Sequence, residues 1–259
     1  MLPADLPPIK NRFLYVYRVC GKWLSFFVFG TGSLLLSILV LPPMRLVLHP
    51  RNKFSKYARM FVSFTFNGFI NFMHIIRVVD LEPDDRMLYK QLSGKIIVSN
   101  HPSLLDVVML ISLIPNADCV VAGYLNHSIL RAIVRQLYIL SSNDFDEIQR
   151  SCEKTLKQGN CLIIFPEGTR TPRSGKKPVV RKGAARIALS SGCGIIPLHI
   201  GGTDKYGLGK KDPWTGFNPN ERYVYRINMG QEITAEKYKD MPRPAAVRSM
   251  TKDILTAIS

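Results

Sequence analysis

In the stretch Asn100-His101-Pro102-Ser103-Leu104-Leu105-Asp106, an imidazole stands five residues before a carboxylate. The run Lys95–Ser99 before it reads as a buried strand, and Val107 to Ile114 after it reads as a buried helix opened by Pro102. His101 then sits where a strand ends and a helix begins. If the chain bends back there, the Asp106 carboxylate reaches one ring nitrogen of His101. The other nitrogen then faces the C-terminal edge of the sheet, where open α/β sheets place their ligands. A histidine oriented in this way is a general base for a hydroxyl near neutral pH. The plainer alternative is an aspartate placed for the helix macrodipole and a histidine bonded to backbone.

A second cluster, Pro166-Glu167-Gly168-Thr169-Arg170, follows the apolar run Asn160–Phe165. That run also reads as a strand, which puts the cluster on the same sheet edge as His101. Gly168 permits a tight turn or close substrate approach. Arg170 can grip a phosphate with two parallel hydrogen bonds, and a surface Glu167–Arg170 ion pair is the alternative. Downstream, Arg173, Lys176, Lys177, Arg181 and Lys182 form a basic run ahead of a helix. The start of that helix suits an anion, and a solvated charged loop fits the run equally well.

Other chemistries fail on inspection. The chain has no G-x-S-x-G elbow, no P-loop and no H-E-x-x-H. Gly192-Cys193-Gly194 begins like a dinucleotide fingerprint but lacks the last glycine and precedes a strand. The five cysteines include no CxxC pair, so neither a disulfide framework nor a metal site is expected. His127 and His199 have no ligand-spaced partners and read as structural or surface residues.

The elements that must position these groups alternate from Lys95 onward. Strands are expected at 95–99, 117–122, 137–140, 160–165, 195–200 and 222–229, and helices at 102–114, 128–136, 144–157, 182–191 and 242–259. This pattern predicts an α/β fold, a mostly parallel central sheet flanked by helices. The loop Gly201–Asn220 is long, Gly-rich and basic, a length that is often functional.

Ahead of the sheet, Trp23 to Leu41 runs nineteen residues without a charge, about the length of a membrane helix. Trp23 marks one end as an interfacial aromatic, and Pro42-Pro43 is expected to stop the helix at the other. Basic residues flank both ends, Lys10 to Lys22 before and Arg45, Arg51, Lys53, Lys56 and Arg59 after, so orientation stays open between spanning and re-entrant. Met60 to Ile76 is a second apolar helix, lying in the interface or packing on the first. The expected organisation is a membrane-anchoring segment over residues 1–76 and an α/β domain over 77–259. The net charge of +16 calls for a negative partner, and the apolar N-terminal stretch favours anionic lipid over nucleic acid.

Together, His101-Pro102-Ser103-Leu104-Leu105-Asp106 (an H-x-x-x-x-D pattern) and Phe165-Pro166-Glu167-Gly168-Thr169-Arg170 resemble the glycerophospholipid acyltransferase family. The resemblance covers about residues 75–230. It implies a glycerol-3-phosphate acyltransferase-like fold, with His101 and Asp106 as the catalytic pair. It further implies that Glu167, Gly168, Thr169, Arg170 and Lys182 bind substrate. The implied donor is acyl-CoA or acyl carrier protein, with no bound cofactor. The implied acceptor is a lysolipid, by default 1-acylglycerol-3-phosphate, at the cytoplasmic face of the inner membrane. Ile195-Ile196-Pro197-Leu198 looks like the family's later apolar motif, which helps shape the acyl or donor side.

One departure bears on the acceptor. Gly123 and Ser141-Ser142-Asn143 stand where the family carries basic residues that help hold the acceptor phosphate, and Arg131 and Arg135 lie off that spacing. An ornithine-type lipid, an aryl polyene or another hydroxyl-bearing lipid is therefore an alternative acceptor. A non-catalytic lipid-binding or nucleic-acid-binding protein is the more distant alternative.

Overall fold

The computed structural model describes residues 6–121, 138–140, 144–173 and 179–259. Its N-terminal part holds α1 (Arg12–Leu35), a π-turn (Leu36–Val40), α2 (Leu41–Val47) and α3 (Arg51–Ile75). Then follow β1 (Val79–Pro83), α4 (Arg86–Gln91), β2 (Ile96–Ser99), α5 (Asp106–Leu113), β3 (Ala117–Val121), β4 (Tyr138–Leu140), α6 (Phe145–Lys157) and β5 (Cys161–Ile164). The chain closes with α7 (Gly183–Ser191), β6 (Ile195–Gly202), β7 (Tyr223–Met229), a 3-10 turn (Ala235–Tyr238) and α8 (Arg243–Ile258).

The strands form one sheet in the order β1-β7-β6-β2-β5-β3-β4. The stretch from β6 through β2, β5 and β3 to β4 is parallel, while β7 runs antiparallel to β6 and carries β1 parallel to itself. Every residue of β2 and β5 is buried, and alternate residues face opposite cores. Ile97 and Ile163 join a core with α3 and α5, whereas Ile96, Val98, Leu162 and Ile164 join a core with α6, α7 and α8. Helices on both faces explain why these strands are apolar without a break.

Several expectations shift. The first helix begins at Arg12 instead of Trp23, because Asn11 caps it by accepting from the Leu14 N–H. Pro42 and Pro43 do not stop it. They remove two helical N–H donors, and the preceding turn widens so that the Leu41 N–H bonds Leu36 O, five residues back. Arg12–Val47 is the helical run among the described residues long and apolar enough to cross a membrane. The second apolar helix likewise starts earlier, at Arg51. Residues 103–105 form a turn, and α5 begins at Asp106. The short elements β1 and α4 are absent from the sequence reading, and β1 forms one edge of the sheet. The expected helix 128–136 lies outside the described residues, as do His127 and 141–143.

The N-terminal helices share a core with the sheet: Phe54, Ala58, Val62, Phe66, Ile70 and Met73 of α3 pack in one cluster with Val79, Met109 and Ile111. Arg59, one of the basic residues that follow the first apolar stretch, is buried and pairs with Asp118 at 3.0 Å. Asp118 also accepts from the Thr155 hydroxyl, so one buried carboxylate ties α3, β3 and α6. Removing one partner of such a pair costs several kcal/mol, about 3–5. The loop 201–220 is packed against α1. Lys22 is buried and donates to Trp214 O at 2.6 Å and to Gly216 O, while the Trp23 and Phe26 rings meet Trp214.

Candidate active site

Parallel pairing of β2 with β5 places their C-terminal ends together, which brings His101 beside the turn at Phe165–Arg170. His101 Nδ1 lies 2.7 Å from Asp106 Oδ2. Asp106 is fully buried, and the His101 side chain is 18% exposed. The carboxylate also accepts from the Ser103 N–H at 2.7 Å and, through Oδ1, from the Ser103 hydroxyl at 2.6 Å. A carboxylate bonded this way accepts only, so Nδ1 carries the proton and Nε2 keeps its lone pair. Asp106 is also the first residue of α5, where the helix dipole favours its negative charge. The alternative of a macrodipole aspartate is therefore not exclusive: one carboxylate does both.

The support runs deeper. Ser103 Oγ gives its only proton to Asp106 and so accepts from the Tyr225 hydroxyl at 2.8 Å and from the Leu105 N–H at 3.2 Å. Burial holds the Tyr225 hydroxyl pKa far above its usual range, so it remains a donor. The Lys205 ammonium sits 4.6 Å over the Tyr225 ring and donates to Val224 O at 2.9 Å. Burial lowers the Lys205 pKa to about 8, with the Asp106 charge pulling the other way. Neither Tyr225 nor Lys205 was singled out from sequence, since no local spacing links them to His101.

On its other side, the His101 ring stacks on Phe165 at 4.2 Å between centroids. Its backbone N–H donates to Glu167 Oε1 at 3.2 Å and to Thr171 Oγ1 at 3.0 Å, and Thr171 Oγ1 donates to Glu167 Oε1 at 2.6 Å. Glu167 is thus a buried bracket joining the two motifs, and its Oε2 is buried without a partner among the described residues. Gly168 has φ +65° and donates its N–H to Phe165 O, a turn that suits glycine. A Cβ there would meet the Arg181 guanidinium at 2.8 Å.

His101, Gly168, Thr169 and Arg170 line one cavity of about 460 Å³. Val107, Val120, Val121, Ile148, Ile164 and Ile187 make its apolar wall, and Arg170, Arg181 and Lys210 are its cations. Arg170 Nη1 is engaged, donating to Leu208 O and Gly209 O of the long loop at 2.9 and 3.0 Å. Lys182 is exposed at the start of α7 and does not line the cavity; its neighbour Arg181 does. Arg173 pairs instead with Asp204 at 2.8 Å.

Pro102 has no N–H, and the N–H groups of Ser103, Leu104 and Leu105 donate to Asp106 Oδ2, Leu208 O and Ser103 Oγ, so none of these three is free. Ile195–Leu198 forms the buried central strand β6 and is not part of the cavity wall. Farther along the same strand, the Ile200 N–H and C=O are both bonded by the Asn100 side chain, which anchors the residue before His101. His199 Nδ1 donates to Ile258 O at 3.1 Å, a structural role.

Comparison with known proteins agrees with this geometry. Residues 85–201 match the family model described as Acyltransferase. The chain is 30% identical over 118 residues to a 1-acyl-sn-glycerol-3-phosphate acyltransferase from Cocos nucifera, covering 42% of this chain and 37% of that protein. It is 27% identical over 124 residues to a protein of the same description from Borreliella burgdorferi, covering 44% and 48%. The alignments thus span less than half the length of these curated relatives. The crystal structure of the 1-acyl-sn-glycerophosphate (LPA) acyltransferase PlsC from Thermotoga maritima shares the fold, with a TM-score of 0.66 over 95% of both chains at 18% identity. Both motifs lie inside the matched segment, so over residues 85–201 this chain is similar to the acyltransferase family.

Proposed function

We propose that this protein transfers an acyl chain from a thioester to the hydroxyl of a lysophospholipid, with 1-acyl-sn-glycerol-3-phosphate as the default acceptor. The observation that carries the reading is the His101–Asp106 pair, opening onto a cavity with an apolar wall and cations at its rim. The free Nε2 of His101 takes the proton from the acceptor hydroxyl. The oxygen attacks the thioester carbonyl, the tetrahedral intermediate collapses, and the thiolate leaves with the proton returned by His101. Asp106 stabilises the imidazolium in between and keeps the ring in the productive tautomer. The apolar wall suits an acyl chain, and Arg181 and Lys210 suit the phosphate of a head group or of a coenzyme A donor. Holding both substrates at His101 supplies a large share of the barrier lowering, on the order of 7 kcal/mol for well-oriented groups.

The exposed apolar residues of α1, among them Phe13, Leu24 and Phe27, support attachment to a membrane from which the lipid acceptor enters. The proposed location is the cytoplasmic face of the inner membrane, with acyl-CoA or acyl carrier protein delivering the donor. Gly123 and Ser141–Asn143 favour a second reading, in which the same chemistry serves a different hydroxyl-bearing lipid. The test is the purified protein with labelled acyl-CoA or acyl carrier protein and a panel of lyso-acceptors, products read by mass spectrometry. Thioester consumption only with 1-acylglycerol-3-phosphate supports the first reading, and consumption only with another acceptor supports the second. No consumption with any acceptor overturns both.

A further inference from the structure

A second cavity, about 780 Å³, lies where α1 meets the β1–β7 corner. Its walls include Arg18 from α1, Arg77 after α3, and Arg222 just before β7. The register puts this corner on the rim that carries His101. Gly202, at the end of β6, pairs with Tyr225 near the start of β7, and Tyr223 pairs with Val79 at the start of β1. The ends of β6 and β2 point the same way because those strands are parallel.

The charges here are unevenly matched. Asp80 already holds both Arg222 and His74, the latter at 2.6 Å. The Arg18 and Arg77 side chains have no hydrogen-bond or ion-pair partner among the described residues, and Arg18 Nε is buried as well as unpaired. The acid left in the wall is Glu221, which is exposed. A buried guanidinium N–H without an acceptor is costly, and an anionic oxygen in the cavity relieves it. In the same wall, Leu14, Tyr17 and Ile75 are exposed apolar side chains, Ile75 the most open of the three. A free phosphate has no use for that apolar collar. A lipid with an anionic head group uses both parts.

We infer that Arg18 and Arg77 form a head-group site for an anionic phospholipid, separate from the catalytic cavity, which seats the active-site rim on the bilayer. The inference builds on the proposed membrane attachment but needs no acyl transfer. Two arginines near an anionic surface contribute about 1 kcal/mol each, equivalent to roughly a 30-fold change in affinity.

The test uses the full chain in neutral detergent, with the melting temperature read against added short-chain lipid. Dihexanoyl phosphatidylglycerol is expected to raise it saturably, and dihexanoyl phosphatidylcholine to leave it unchanged. Arg18→Gln with Arg77→Gln is expected to raise the half-saturating concentration about tenfold or more. Arg18→Lys with Arg77→Lys is expected to retain most of the response. Arg248→Gln with Lys252→Gln removes the same charge from the exposed side of α8 and is expected to have no effect. If the double glutamine variant shows no melting transition, Arg77→Gln alone, at an exposed side chain, carries the comparison. A response unchanged by the glutamine substitutions, or equally lost in the α8 control, overturns the site. Saturation by inorganic phosphate alone, with no further rise from phosphatidylglycerol, overturns the lipid as its occupant. Turnover with 1-acylglycerol-3-phosphate is measured separately, so failure of the catalytic proposal is seen independently.

Discussion

Two histidine–aspartate pairs stand in this protein at almost the same separation. His101 and Asp106 meet at 2.7 Å, and His74 and Asp80 at 2.6 Å. Both carboxylates are buried, but the rest of their surroundings differ. Asp106 is fully buried and receives two further bonds from Ser103, whereas Asp80 divides itself between His74 and Arg222. His101 is packed against Phe165 and lines an apolar cavity, whereas the His74 side chain is 62% exposed beside cations. A carboxylate shared with an arginine and an imidazole open to water cannot orient a base against a bound hydroxyl. The proposed chemistry therefore lies in what fixes the pair and what the free nitrogen faces, more than in the pair itself.

Substitutions at the two sites should separate them. His101→Ala is expected to lower thioester turnover by about 10³-fold or more, within the range of general-base catalysis, with an unchanged melting temperature. Asp106→Asn is expected to cost at least about 10²-fold in kcat, since the amide can hold the ring in the wrong tautomer. Arg181→Ala should act on binding, raising the acceptor or donor KM about tenfold with little change in kcat, as the loss of one charge-assisted contact does. Tyr225→Phe should lower kcat about two- to tenfold without a change in KM, because it removes one neutral hydrogen bond from Ser103. His74→Ala, assayed in detergent, should stay within about twofold of the unsubstituted protein. A loss at His74 as large as that at His101 would erase the distinction between the pairs. An unaltered kcat in Tyr225→Phe would confine the fixing of Asp106 to Ser103.

The same contrast shows what was legible. The strand-helix alternation was readable because a sheet covered on both faces needs unbroken apolar runs, and β2, β5 and β6 supply them. The edge strand β1 was not, because Val79-Asp80-Leu81-Glu82-Pro83 is short and carries two acids whose partners are Arg222, just before β7, and Arg226 within it. The helix bounds moved for local reasons of capping and of proline, which a π-turn accommodates. In the site, His101 and Asp106 were visible because five residues of one turn bring them together. Lys182 and Arg181 differ by a single position, and only the packing of the Arg181 side chain against Gly168 decides which one lines the cavity.

The sequence alone determined the two motifs, the order of most strands, the apolar N-terminal helices and the strongly positive charge, because each is written in residue types over a short span. The tertiary structure decided the rest. It brought Tyr225 to Ser103 across 122 residues and the Glu167 bracket to the His101 backbone across 66. It also buried Lys22 against the carbonyls of a loop nearly two hundred residues away. Such contacts carry no sequence period. Distant segments meet only when the sheet closes, and burial then makes each unpaired polar group costly enough to require the partner it finds.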